Sequence, residues 1–485
     1  MTRPITGAAV ILVVLLGGCS STPQPATDLA RDLADKVGVD GMYTHLRKLQ
    51  EIADANNTSR AEGTPGYDAS VDYVAQTLRD RGFDVQTPEY ERLGVVSPGR
   101  PRVTVSGRDY SVDQASLLTA TKAGGLRAAT RRPQKPAGCT AADYGATKAT
   151  GAIAVVDDTG CSIVDKQKTA VGEGAVGLLV VSDPGAQGSP KRLFSPGYYR
   201  GLTVPVAVVD RAADASLRRT NAPVLLTLDA DAAMVKSRNV LAQTKTGDTR
   251  NVVMAGAHLD SAAGSPGIND DGSGVAALLE TAAALGSQPQ TTNAVRFGFW
   301  GSEEKVLAGS TKYVEGLERD QLDNIALYLD FDMLGSPNAG FFTYDGDQSG
   351  QPNPDVPAKT VPAGSAGIER TLAGYLNLAG IRPADMPLGK AGDYSPFLSA
   401  GVPIGGVTTG ASQRKSEVQA RLWGGVAGAA FDRNNHLPGD TVDNVNRDAL
   451  AVTGPAVAFA VGTYTQSIEG ANGVSTREQR RRHTP

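Results

Sequence analysis

Four histidines occur in the chain, and two of them, His258 and His436, stand among acidic residues. His258-Leu259-Asp260 follows the apolar run from Asn251 to Ala257, and Asn269-Asp270-Asp271-Gly272-Ser273-Gly274 comes shortly after it. Ser302-Glu303-Glu304 follows a second such run, Ala294 to Trp300, and Asp330-Phe331-Asp332 lies at the end of a third. Asn434-Asn435-His436-Leu437-Pro438-Gly439-Asp440 places the other histidine in a loop-like segment. Imidazole nitrogens and carboxylate oxygens are the donors that zinc accepts, and a two-metal site needs one carboxylate shared between the ions. Several carboxylates brought into one crevice repel each other unless cations neutralise them. Metal is therefore the economical reading. Glu303 and Glu304 are adjacent, so their side chains point in different directions, and one can ligate while the other faces a substrate as a base. Spacing alone leaves open which does which.

These pieces must be brought together by the elements that carry them. The apolar runs at Asn251 to Ala257, Ala294 to Trp300 and Ala326 to Phe331 read as strands, and Ser273 to Leu285 reads as a helix led by the capping residues Asp271 and Ser273. Alternation of strand and helix from Ser237 onward predicts a mainly parallel or mixed sheet covered on both faces. In such a sheet the carboxyl ends of the strands line the ligand crevice, which is where the acids fall. Helical periodicity is also present between Val39 and Phe83, with Met42, Leu46, Leu49 and Ile52 on one face, and Asp84-Val85-Gln86 begins a strand. A last helix is expected near Ala449 to Thr463. Between about Leu93 and Ala230 the texture changes to short apolar runs, among them Ile153 to Val156, Leu178 to Val181 and Val204 to Val209, separated by Gly, Pro and Asp. That stretch is a β-rich insert.

A chain of 485 residues suggests two or three folding units at about 150 residues each. Its hydrophobic content of 40%, charged content of 20% and net charge of -4 are those of a globular protein and give no reason to expect a nucleic-acid partner. Arg3 followed by the apolar stretch Ile5 to Leu16 has the form of an export signal, too short for the roughly 20 residues that span a bilayer. Leu16-Gly17-Gly18-Cys19 resembles the bacterial lipobox, which is cut before a cysteine that then carries lipid. Residues 1–18 are thus read as a lipoprotein signal peptide and 19–38 as a polar tether, placing the folded body at the extracytoplasmic face of the cell membrane, held through lipid on Cys19. The two other cysteines, Cys139 and Cys161, form a pair for one disulfide in an oxidising compartment. Residues 469–485 have no apolar periodicity and read as a disordered tail.

The ordered set from Gly256 to Glu304, then Asp332, Asp393-Tyr394-Ser395-Pro396-Phe397 and Asn434 to Asp443, resembles the secreted double-zinc aminopeptidases of bacteria, the leucine-type co-catalytic zinc exopeptidases. The resemblance implies an α/β zinc-exopeptidase domain over 39–92 and 236–468 and peptide substrates shortened from their N-terminus. It also implies two zinc ions, one on His258 and Asp332 and one on Glu304 and His436, with Asp270 bridging. Glu303 matches the general base, and Asp260 matches the carboxylate that orients His258. Asn435 stands where some relatives carry a tyrosine, making it a possible oxyanion or substrate contact. Within 93–235, Gly151 to Asp157, Gly160-Cys161-Ser162 and Ala175 to Val180 resemble a protease-associated domain, a lid or guide for substrate. Two other functions are compatible with this fold. A ligand-binding receptor of this fold would be expected to lose metal ligands or base, and none is missing. A single-zinc glutaminyl cyclase would be separated by metal stoichiometry and peptide products. Nothing in the sequence fixes the oligomeric state.

Overall fold

The computed structural model describes residues 28–182, 201–350, 353 and 356–482. Cys19, the apolar run before it and His483 lie outside these residues. One folding unit runs to Thr87 and resumes at Asn239, and the other is Pro88–Arg238. Among its described residues the first unit carries eight strands: β1 (Asp84–Gln86), β2 (Val240–Gln243), β3 (Asp248–His258), β4 (Asn293–Trp300), β5 (Ile325–Phe331), β6 (Phe342–Tyr344), β7 (Ala384–Met386) and β8 (Ile404–Thr408). They form one mixed sheet in the order β1-β2-β4-β3-β5-β8-β6-β7. The central four, β4-β3-β5-β8, run parallel, and His258 sits opposite Trp300 in the register. The carboxyl ends of β3 and β4 therefore finish side by side.

Period-two burial explains why both faces are covered. Along β3, Val253, Ala255 and Ala257 pack into one apolar cluster, while Val252 and Met254 belong to another on the opposite face. The helices of the first unit that matter here are α1 (Leu29–Lys36), α2 (Val39–Ala55), α3 (Pro65–Asp80), α4 (Gly272–Leu285), α5 (Gly364–Leu378), α6 (Tyr394–Ser399) and α7 (Arg447–Gln466). Helix α4 is capped by Asp271, whose carboxylate accepts the Gly274 amide at 2.9 Å. Gly274 has a packing reason: a Cβ there would lie 2.0 Å from the Phe331 carbonyl oxygen, so only glycine lets the helix start touch the end of β5.

Three sequence expectations need correction. The tether assigned to 19–38 includes α1, which buries Ala30, Leu33 and Ala34 and is capped by Asp28. The tail read as disordered from 469 carries a short helix, Arg477–Arg482. Arg477 donates to Asn324, and Arg480 to the Asp323 and Arg250 carbonyls, so its arginines satisfy main-chain oxygens of the first unit as well as solvent. The insert boundary falls at 87/88 and 238/239 rather than 92/93 and 235/236, because Glu89–Ser97 pairs antiparallel with Asp231–Arg238 as a ribbon of the second unit.

The second unit also holds a five-stranded and a four-stranded sheet. Ile153–Asp157, Gly177–Val181 and Val206–Val209 lie parallel in the larger one and are almost entirely buried. Cys139 and Cys161 are joined by a disulfide. Lys166, fully buried nearby, donates to the Ala137 and Thr159 carbonyls that flank it.

Candidate metal centre

The sheet brings His258, at the end of β3, against the loop that leads into α4. Its Nε2 lies 3.1 Å from Asp270 Oδ1 and 3.8 Å from Asp332 Oδ1. On the far side of the same aspartate, Asp270 Oδ2 lies 3.2 Å from His436 Nε2, which in turn is 3.3 Å from Glu304 Oε2. Two trios result, His258–Asp270–Asp332 and Asp270–Glu304–His436, each with its donor atoms within 4.8 Å of one another. Asp270 belongs to both, offering one oxygen to each. All five residues singled out as ligands from the sequence are thus in one place, although they are spread over nearly 180 positions.

Several atoms in and beside this cluster have no hydrogen-bond partner among the described residues despite being shut away from solvent: Glu304 Oε1, Asp332 Oδ1 and Asp260 Oδ2. An orphaned buried carboxylate oxygen is costly, and a cation removes the cost. The donor set, two imidazoles and three carboxylates with oxygens left open, is of the type that zinc accepts. The electrostatics agree. Burial, with repulsion from Asp270 and Asp330, pushes Asp332 up to about 7 despite His258, and burial with Asp270 raises Glu304. Burial, with Asp393 and Asp332 nearby, raises Glu303 well above the ordinary range. His436 is raised to about 9 by its hydrogen bond to Asp270. Burial pulls His258 down, but the negative charges of Glu303, Asp332 and Asp270 outweigh it and raise its affinity for a proton. Asp270 goes the other way, since hydrogen bonds from both histidines overcome the cost of its burial. A carboxylate that prefers a proton here would equally accept a dication.

Glu303 and Glu304 open a short 3-10 turn, Glu303–Lys305, after β4. Both feel His258, Asp260 and Asp332, but Glu303 also faces Asp393, while Glu304 also meets Asp270 and His436. The turn is flanked by left-handed residues, Ser302 at φ 60° and the β-branched Val306 at φ 71°, followed by Leu307 at 57°. Such conformations cost about 1–3 kcal/mol each and concentrate at functional sites.

Two contacts differ from the sequence reading. The Nδ1 of His258 bonds to the main-chain oxygen of Asp260 at 2.9 Å, and the Asp260 carboxylate lies 3.9 Å away. That carboxylate accepts the Glu303 amide at 3.1 Å instead, so Asp260 touches the turn that carries the acid pair. Asn435 turns its amide nitrogen to Asp270 Oδ2 at 2.5 Å rather than toward open space.

Other residues at the site went unassigned in the sequence. Asp271, besides capping α4, accepts the Met333 and His258 amides. Asp440 accepts the amides of both Asn269 and Asp270. Below the crevice Trp300 donates to the Tyr328 hydroxyl, which donates to Asp330, and Phe397 of α6 stacks on Tyr328. The only sequence signal for Asp271 and Asp440 was their closeness to predicted ligands, which does not distinguish a positioning residue from a ligand.

A sequence profile of peptidase family M28 matches residues 239–461, and one of the PA domain matches residues 124–217. The chain is 44% identical to a probable lipoprotein aminopeptidase, LpqL, of Mycobacterium tuberculosis, over 100% of this chain and 98% of that one. It is 37% identical to an aminopeptidase of Pseudomonas aeruginosa, covering 87% of this chain and 80% of the relative. Among solved structures, the aminopeptidase from Aneurinibacillus sp. strain AM-1 superposes with a TM-score of 0.57 at 21% identity, covering 90% of this chain and 96% of that one. BSAP, a zinc aminopeptidase from Bacillus subtilis, gives 0.51 at 21% identity, over 90% and 97%. These two likenesses concern the fold, whereas identity of 44% along the whole chain concerns the family. With its metal-ligand residues gathered at the strand ends of a mixed sheet and a PA domain inserted ahead of them, the chain belongs to peptidase family M28, alongside its aminopeptidases.

Proposed function

We propose that the protein is a lipid-anchored aminopeptidase that holds two zinc ions and removes residues from the N-terminus of peptides outside the cytoplasmic membrane. The observation that carries the reading is Asp270, which presents one oxygen to His258 and the other to His436. In this reading His258 and Asp332 would hold one ion and Glu304 and His436 the other, with Asp270 shared between the two trios. Bound there, the ions would supply Lewis-acid activation of the attacking water and of the scissile carbonyl.

The remaining chemistry belongs to the chain. Glu303 takes a proton from the water on its carboxylate as the C–O bond forms, and returns it to the departing amine nitrogen as the C–N bond breaks. Burial raises its proton affinity, which suits a group that must hold that proton between the two events. Asp260 steadies the base through the Glu303 amide, and its carbonyl fixes the tautomer of His258 by accepting from Nδ1. Asn435 holds the outer oxygen of Asp270. The free α-ammonium of a substrate is attracted to the negative pocket of Asp332 and Glu303, which favours an exopeptidase. The second unit carries none of the ligand set and acts as a guide for substrate.

Support for the anchor comes from Leu16-Gly17-Gly18-Cys19 and from the lipoprotein name of the mycobacterial relative. Among the described residues no helix is long and apolar enough to cross a membrane. The test is a panel of aminoacyl anilides and their N-acetylated counterparts, with metal content measured on the same sample. Hydrolysis of the free-amine substrates alone, lost on chelation and restored by zinc to two ions per chain, is expected. Equal hydrolysis of the acetylated substrates, or activity indifferent to metal, would refute the reading.

A further inference from the structure

Arg60, in the segment between α2 and α3, is fully buried and lies about 200 positions from the ligand loops it touches. Its three side-chain hydrogen bonds all end on main-chain carbonyls: Nη1 on Leu259 at 2.5 Å, Nε on Pro266 at 2.9 Å and Nη2 on Gly267 at 2.5 Å. Its own amide donates to Ser261 Oγ at 3.0 Å, and its carbonyl accepts the Ser261 amide. Leu259 stands between His258 and Asp260. Pro266 and Gly267 lead through Ile268 into Asn269-Asp270-Asp271. One planar fork therefore clips the segment that carries the first histidine to the segment that carries the shared aspartate. There is little slack: a Cβ on Gly267 would fall 2.4 Å from the Ser261 Cβ and 2.7 Å from the main-chain oxygen of Asp270.

A buried guanidinium is expensive unless its surroundings compensate it. Here the carbonyl oxygens supply hydrogen bonds, and the nearest negative charges in order of influence are Asp440, Asp260, Asp271 and Asp270. Asp440 grips the same loop from its other side through the Asn269 and Asp270 amides. The loop is thus held between a cationic and an anionic side chain, and the Arg60 charge offsets part of the repulsion among the carboxylates before any metal arrives. Lysine could supply the charge but not a planar fork with three fixed directions.

We propose that Arg60 is a positioning residue that preassembles the metal centre, fixing His258 and Asp270 in binding geometry independently of the ions. The inference rests on reading the cluster as a zinc site. Zinc affinity would be measured by competition with a chromogenic chelator, at a temperature where each protein is folded, for the native chain, Arg60→Lys and Arg60→Gln. Lysine keeps the charge without the fork, and glutamine keeps an amide donor without the charge. Both are expected to bind zinc at least about 10-fold more weakly, the scale seen when residues behind metal ligands are replaced. The visible spectrum of the Co2+-substituted variants should shift with them. Affinity within about 2-fold of native, with melting lowered equally in metal-free and metal-loaded protein, would overturn the proposal in favour of a purely structural arginine. Should neither variant fold, the native chain supplies the test. Amide exchange over 258–271 must stay slow after chelation, and exchange at the rate of an open loop would overturn the proposal. A native chain that binds no zinc would refute the reading of the site itself, whatever the variants do.

Discussion

Replacing Glu303 or Glu304 by glutamine removes the same charge from neighbouring positions, yet the two variants are expected to fail differently. Glu303 presses on His258, Asp332, Asp393 and Asp260, with its amide tied to the Asp260 carboxylate. Glu303→Gln keeps shape and that amide contact but loses the proton acceptor. Turnover should fall at least about 100-fold, the lower end for general acid/base catalysis, which corresponds to about 2.7 kcal/mol of transition-state stabilisation. Two zinc ions should remain. Loss of one crowded carboxylate should also stabilise the metal-free protein by about 1 kcal/mol, as relief of a destabilised active site commonly does. Glu304 instead lies 3.3 Å from His436 and leaves Oε1 unpartnered, which is the posture of a ligand. Residues behind a metal ligand already cost about 10–100-fold in affinity, so Glu304→Gln should weaken one zinc by more than about 100-fold. Turnover and KM on a leucyl anilide, with metal content and melting temperature from the same preparations, separate the outcomes. Equal zinc loss in both variants, or native turnover in Glu303→Gln, would refute the division of roles.

Further outcomes follow from the same geometry. Burial, with neighbouring charges, raises Asp260 to about 6, Asp332 and Asp393 to about 7 and Asp330 to about 8. Each contributes stability that is complete below the unfolded value near 4 and lost as pH rises through those figures. The melting temperature of the metal-free protein should therefore fall from pH 5 to pH 8 in calorimetry, and zinc should suppress most of the fall; a flat or rising metal-free profile would contradict it. Gly274→Ala, which drives a Cβ to 2.0 Å from the Phe331 carbonyl oxygen, should yield little folded protein and poor zinc retention, and a native melting temperature would show the close approach to be dispensable. Replacing Cys139 and Cys161 by serine opens a link across 22 residues, worth about 3 kcal/mol in the chain-entropy model. Thermal unfolding should show the second unit weakened while zinc content stays at the native level; loss of zinc would refute the separation of the units.

Much of the site was legible because its signals are local. Apolar runs ending in His258, Trp300 and Phe331 mark strands by composition, and the acids beside them fall at strand ends whatever the rest of the chain does. Asp271 before Gly272 and Ser273 marks a helix start for the same reason. The short apolar runs at Ile153, Leu178 and Val206 likewise carry their strand character within a few residues. The helix at Leu29–Lys36 was hidden because its apolar face is only Ala30, Leu33 and Ala34, which gains its meaning from packing on α7.

The sequence by itself determined the residue types, their order along the chain and the strand ends that display them, since periodicity and capping act over a few residues. Only the tertiary structure decided which oxygen of Asp270 faces which histidine, that the main-chain oxygen of Asp260 rather than its carboxylate meets His258, and that Asn435 is engaged by Asp270. It also decided that Arg60, a polar residue in a turn-rich segment, is fully buried against the ligand loops. Side-chain direction and partner choice depend on groups 165 to 207 positions away in these last two cases, and such contacts exist only once the sheet has closed its layers around them.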